Sequence, residues 1–154
     1  MKRAQQKFKY AGLIDPCIVF PDNIYSEIEG CTSRIEEART ACRWVASHIE
    51  DSDTTTDIRL ILLLKKGTCL GKCALAVSLL RNLGFSIEEV FVTILVKKGE
   101  NPFEALHASV YFQPEEIFFD LTDGFHEYNK TLEDILSTYV VVLMFNDEIC
   151  LVPY

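Results

Sequence analysis

From residue 33 onward the apolar positions of the chain fall into periods that change along its length. Ile35, Ala38, Cys42, Val45 and Ile49 recur at helical spacing behind Ser33 and Glu36, an S-x-x-E capping pair, and predict a helix of about four turns. The polar run DSDTTTD ends it. Its Thr and Asp residues can cap a second helix through Ile58, Leu60, Ile61 and Leu64 to Gly67, with a short buried strand as the competing reading. In GTCLGKCALAVSLLRNLGF, Thr68 can cap a third helix, Arg81 suits its last turn, and Gly84 followed by Phe85 fits a left-handed stop. Apolar residues cover nearly every side of that segment and leave Lys72, Ser78, Arg81 and Asn82 as the polar minority. Such a helix belongs inside the fold.

Beyond Phe85 the pattern turns to strands. EVFVTILVKK is rich in β-branched and aromatic residues, GENP reads as a turn, and LHASVYF and EIFFDLT flank QPEE as a hairpin. A short helix capped at Thr131 and running to Leu136, the strand YVVVLMF, a turn at Asn146-Asp147 and the closing strand EICLVPY follow. Residues 1–31 show no clear period, and Pro16 and Pro21 interrupt any long element, which predicts an extended, partly packed lead-in. Helices followed by a largely antiparallel sheet argue an α+β fold, and residues 1–154 fit a single domain.

Charge narrows the partners. With 15 basic against 23 acidic residues the formal net charge is −8, which repels phosphate backbones and excludes nucleic acid as the expected partner. Lys2, Arg3, Lys7 and Lys9 form a local basic cluster, expected to be a frayed, solvated terminus. No apolar stretch stands behind those charges, so an export signal is not expected. The longest apolar run, Leu60 to Leu64, is far below the ~20 residues that span a bilayer, so no membrane segment is expected. The six cysteines are then read as mainly reduced thiols of a cytoplasmic protein.

One of those thiols stands where a nucleophile should. Cys69 falls in the first turn of the third helix, where unpaired backbone N–H groups and the helix dipole stabilise a thiolate and can receive an oxyanion. Cysteine is also a common small core residue, and position alone does not decide between the roles. Cys73, one turn deeper, reads as packing, and Cys-x3-Cys without a second pair is a poor zinc pattern. The hairpin tests the partners. If Gln113 pairs with Glu116, opposed residues have numbers summing to 229, so Asp120 faces Ser109 and shares a face with His107 as its diagonal neighbour, ~7 Å away. An imidazole and a carboxylate can meet over that distance. Asp123 has the opposite parity. His48, one turn after Trp44, and His126, in the turn-like DGFHEYN, read as surface histidines, whereas His107 interrupts an apolar strand and needs a partner.

The run GTCLGKCALAVSLLRNLGF, then LHASVYF, then FFDLTDG resembles the core of the transglutaminase-like superfamily: Gly-x-Cys opening a helix that ends in Leu-Leu-Arg-x-x-Gly, a His-Ala strand, and an Asp-x-Thr strand. The resemblance covers about residues 33–123 and implies Cys69 as nucleophile, His107 as general base and acid, and Asp120 as the group orienting the imidazole. The sequence departs from the pattern after the His-Ala pair, where the superfamily shows an aromatic residue and an acid and this chain has Ser109, Val110 and Tyr111, and at Leu121, where the superfamily shows proline. The implied chemistry is an acyl-enzyme on Cys69 formed from an amide or isopeptide bond of a protein or peptide. Without a carboxylate cluster of EF-hand form, or the further domains of calcium-dependent cross-linking enzymes, hydrolysis without metal or cofactor is the expectation. A catalytically silent peptide-binding module with the same fold and a redox-sensing thiol protein are the competing expectations.

Overall fold

The computed structural model describes residues 1–4, 10–101 and 106–153. In chain order these form β1 (Lys2–Arg3), a 3-10 turn at Ala11–Leu13, α1 (Asp22–Glu29), α2 (Arg34–His48), β2 (Glu50–Asp51), α3 (Ile58–Leu64) and β3 (Lys66–Gly67). There follow α4 (Cys69–Asn82), β4 (Val90–Lys97), β5 (Leu106–Phe112), a 3-10 turn at Gln113–Glu115, β6 (Ile117–Asp120), β7 (His126–Asn129), α5 (Leu132–Thr138), β8 (Tyr139–Phe145) and β9 (Cys150–Val152).

The helices start where their caps predict. Ser33 Oγ accepts from Glu36 N at 3.3 Å, while the Glu36 carboxylate reaches back to Thr32 N at 2.9 Å, so the expected box closes one residue early. Asp57 caps α3 through Arg59 N at 2.9 Å, which settles the Leu-rich stretch as helix rather than strand. Thr68 Oγ1 accepts from Gly71 N at 3.0 Å and opens α4, whose residues from Gly71 to Leu80 are all buried. The helix ends ahead of Gly84, at φ 94°, the left-handed stop that glycine adopts without strain. Thr131 and Asp134 form a reciprocal capping box on α5.

Seven strands form one antiparallel sheet in the order β1-β9-β8-β4-β5-β6-β7. The hairpin has the expected register, with Phe112 opposite Ile117, Tyr111 opposite Phe118 and Val110 opposite Phe119. Alternation divides the sheet's side chains between two layers. Val92, Val110, Phe112, Phe119 and Phe145 pack with Ala41, Val45, Leu75 and Leu79 of α2 and α4. Phe91, Leu95, Tyr111, Phe118 and Met144 pack on the opposite face with Ile135 of α5. A separate two-stranded parallel pair, β2 with β3, sets Asp51 opposite Gly67, just ahead of α4.

Three expectations need correction. The lead-in is not simply extended: Pro21 stands at the N-cap of α1 and starts a helix instead of breaking one, and Ile24 and Ile28, one turn apart, are buried in the helix-side core. Lys2 and Arg3 are not frayed but pair with Val152 and Leu151, while Lys7 and Lys9 lie outside the described residues, as do Pro102 of the GENP turn and Tyr154. His126 belongs to β7, not to a turn; that edge strand is anchored by Arg39, which donates to both Glu127 carboxylate oxygens at 2.8 Å. Among the described residues no helix is long and apolar enough to cross a membrane.

Candidate active site

Cys69 is the first residue of α4 and half-buried. Its own N–H and that of Leu70 have no carbonyl partner within the helix, so they stand as donors at its positive end. Cys73 is buried, and burial, followed by the charge of the Cys69 thiol, pushes its own thiol well above the ordinary range. It is a packing residue, as its depth in the helix implied.

The strands hold the other two residues. His107 is the second residue of β5 and Asp120 the last of β6. His107 Nε2 donates to Asp120 Oδ2 at 2.9 Å, and Thr122 N donates to Asp120 Oδ1 at 3.0 Å. With Nε2 held by the carboxylate, Nδ1 is the nitrogen left to exchange a proton with a thiol. The Asp120 hydrogen bond raises the His107 pKa above its ordinary 6.5 although burial opposes it. Burial pushes Asp120 up, but the His107 bond and the Thr122 N–H more than offset it and hold the carboxyl below 3.8.

Those shifts give the pair a pH window. The raised His107 contributes stability that is complete below 6.5 and lost as pH rises through its folded value; the depressed Asp120 contributes stability that is complete above 3.8 and lost as pH falls through its folded value. Both describe one interaction, which is therefore fully present between those limits. Thermal midpoints of the wild type and of His107→Gln, measured across pH, are expected to differ most inside that window. A difference that does not vary with pH would contradict it.

Alternation sets the dyad on the face that carries α5. His107, Ser109, Phe118 and Asp120 line a cavity of about 140 Å³ together with Ile135 and Tyr139, and the buried Ser109 hydroxyl has no hydrogen-bond partner among the described residues. The cavity coincides with the sequence departure at Ser109. Cys69 arrives from the helix layer, where α4 packs against β5. The structure thus joins His107 to Asp120, and among the described residues no hydrogen bond joins Cys69 to either. The charge of Asp120 nonetheless acts on Cys73, one turn along α4 from Cys69.

The other candidates take structural places. Asp123 is exposed, in the left-handed region at φ 54°, and its N–H donates to Asp51. His48 stacks on Trp44 at 4.6 Å and pairs through Nδ1 with the Trp44 carbonyl. His126 is exposed, with Nε2 3.2 Å from the Asp123 carbonyl. Two residues beside the site are not evident from the sequence alone. Lys72 is buried on α4 and donates to Asp51 Oδ1 at 2.7 Å. Its signal is that of a cation flanked by apolar and small residues well before the polar last turn of the helix, where Arg81 stands; Asp51, in a polar run, carries none.

No protein-family model matches the sequence, and no curated protein matches it. Solved structures do. LapG of Legionella pneumophila in its EGTA-treated form superposes with a TM-score of 0.63 at 13% identity, over 86% of this chain and 73% of that one. Calcium-bound LapG gives 0.61 at 14% identity, over 84% and 74%. A proposed cysteine protease from Cytophaga hutchinsonii gives 0.54 at 16% identity, over 80% of this chain and 40% of that one. Among the described residues no three His, Cys, Asp or Glu side chains converge to hold a metal ion. The helix that opens on Cys69, the strand pair carrying His107 and Asp120, and these superpositions agree: the chain has the transglutaminase-like, papain-like α+β fold.

Proposed function

We propose that this chain is a thiol hydrolase that cleaves amide or isopeptide bonds of a protein or peptide through an acyl-enzyme on Cys69. The observation that carries the reading is the 2.9 Å hydrogen bond between His107 and Asp120 in a fold whose buried helix begins with a half-exposed cysteine. Cys69 gives its proton to His107 Nδ1 and the thiolate attacks the carbonyl carbon. The N–H groups at the start of α4 receive the oxyanion. The intermediate collapses as the imidazolium donates that proton to the departing amine, leaving a thioester. Water, deprotonated by His107, then attacks the thioester and releases the carboxylic acid and Cys69. Asp120 holds the imidazole with Nδ1 toward the thiol and steadies its charged form. The likeness to the Cytophaga hutchinsonii protein, described as a cysteine protease, supports hydrolysis over transfer to an amine.

A peptide-binding module without turnover is the second reading, and the absence of a hydrogen bond between Cys69 and His107 among the described residues favours it. A redox thiol is disfavoured, because the only cysteine one turn away, Cys73, is buried and its thiol is held protonated. Iodoacetamide alkylation across pH, read by mass spectrometry, separates these. Cys69 is expected to react fastest of the six thiols, and His107→Ala to slow it by about tenfold or more. Uniform labelling of all thiols, or no effect of the substitution, would rule the hydrolase out.

A further inference from the structure

Lys72 is the one charged side chain among the described residues that is fully buried, 1% exposed. An ammonium in that setting keeps its charge only beside a partner, and the partner is Asp51, whose Oδ1 accepts from Nζ at 2.7 Å. The second oxygen of the same carboxylate, Oδ2, accepts from the Asp123 N–H at 2.9 Å. Each end of this bridge lies close to a proposed catalytic residue. Lys72 is on the same helix as Cys69, three positions along, so the two share a face. Asp123 follows Asp120 by three positions in the loop between β6 and β7.

The bridging carboxylate is placed from outside both. Pairing of β2 with β3 sets Asp51 opposite Gly67, two residues ahead of Cys69, and Ser52 N donates to the Gly67 carbonyl at 2.9 Å. Among the described residues no hydrogen bond joins α4 directly to the β6–β7 loop, and Asp51 links the two, taking Lys72 of the helix that carries the thiol and Asp123 of the loop that follows Asp120. Burial raises the Asp51 carboxyl, yet the Lys72 hydrogen bond and the Asp123 N–H more than offset it, and the carboxylate stays charged. The Asp120 charge from β6 acts on Asp51, raising it, and the Lys72 ammonium acts in turn on the buried Cys73 thiol of α4.

We propose that Lys72 and Asp51 are positioning residues that set the distance and orientation of Cys69 relative to His107 and Asp120. The inference rests on the hydrolase reading. An ion pair of this kind contributes little net stability compared with apolar side chains of similar size, whereas a fixed geometry between two layers requires directional bonds.

The test is alkylation of Cys69 by iodoacetamide across pH in Asp51→Asn and in the double variant Lys72→Met with Asp51→Leu, with thermal denaturation run in parallel. Asp51→Asn keeps shape and an acceptor for Asp123 N but weakens the grip on Lys72; the double variant replaces the ion pair by apolar contacts. Both are expected to fold, to alkylate Cys69 at least about tenfold more slowly near neutral pH, and to show a displaced pH profile. Folded variants with the rate and profile of the wild type would overturn the proposal, as would unfolding of Asp51→Asn, which would make the bridge a support of the fold alone. His107→Ala in the wild-type background distinguishes the two inferences. If it leaves Cys69 alkylation unchanged, the hydrolase reading fails; if it slows Cys69 while the Asp51 variants do not, only the positioning role fails.

Discussion

Asp120→Asn is expected to reduce peptide hydrolysis on the order of 10³–10⁴-fold while leaving the protein folded. The substituted side chain has the same shape and can still accept from Thr122 N through its carbonyl oxygen, as Asp120 Oδ1 does at 3.0 Å. What changes is the other position. The carboxylate oxygen that accepts from His107 Nε2 at 2.9 Å becomes an amide group able to donate, which favours the tautomer carrying its proton on Nδ1. In the proposed reaction Nδ1 must take a proton from Cys69, so the base is blocked at the atom that matters. The His107 pKa falls as well, since the Asp120 hydrogen bond is the main cause of its elevation. Measurement of kcat/KM on a cleaved peptide, with nitrogen-15 spectra of the His107 ring, would show both changes. Turnover within about twofold of the wild type would remove Asp120 from the mechanism.

Gly71→Ala is expected to destabilise the fold by about 1–3 kcal/mol, the usual cost of forcing an extra carbon into a packed core. A Cβ at that position would stand 2.5 Å from Ile61 Cδ1, 2.9 Å from the Thr56 Cα and 3.2 Å from Thr68 Oγ1. Ile61 can swing only at the expense of its own buried packing, and Thr56 is backbone. The gain in helix propensity, up to ~1 kcal/mol, offsets part of the cost but not the clash. In a chain of 154 residues each kcal/mol corresponds to a shift of about 2–4 °C in the thermal midpoint. Because Thr68 Oγ1 caps the Gly71 N–H, the displacement is passed to the turn that contains Cys69. A midpoint at or above that of the wild type would show that the close approach of α3 to α4 is not rigid.

Local chemistry is what makes most of this legible in the sequence. Thr68 and Gly84 bracket α4 because capping and left-handed turns need particular residues at particular places, and the hairpin register follows once the turn sets Gln113 against Glu116. Asp57 resolves the ambiguity of the Leu-rich run toward helix, since an apolar stretch carries no period of its own but a cap does. The elements that the sequence hides are those whose cause lies far away. Pairing of Lys2 and Arg3 with Leu151 and Val152 leaves no local pattern, and α1 announces itself through two isoleucines only. The strand His126–Asn129 is exposed throughout and is held by β6 and by Arg39, 88 residues upstream of Glu127. Asp51 is invisible for the same reason. Its partners are 21 and 72 residues away, and nothing in DSDTTTD separates it from its solvated neighbours. The thiol and the dyad are likewise readable one by one, whereas their approach depends on how a helix layer seats on a sheet.

The strand order has a practical use. Residues 2–3 and 150–152 lie side by side at one margin of the sheet, and β5 stands four strand steps inward from β1. At a spacing of ~4.8 Å per step, that is roughly 19 Å between the margin and the strand that carries His107. An affinity tag, fluorophore or surface tether attached ahead of Lys2 or beyond Val152 is therefore carried at the margin of the sheet away from the dyad, so immobilised protein can be assayed without the tether at the dyad.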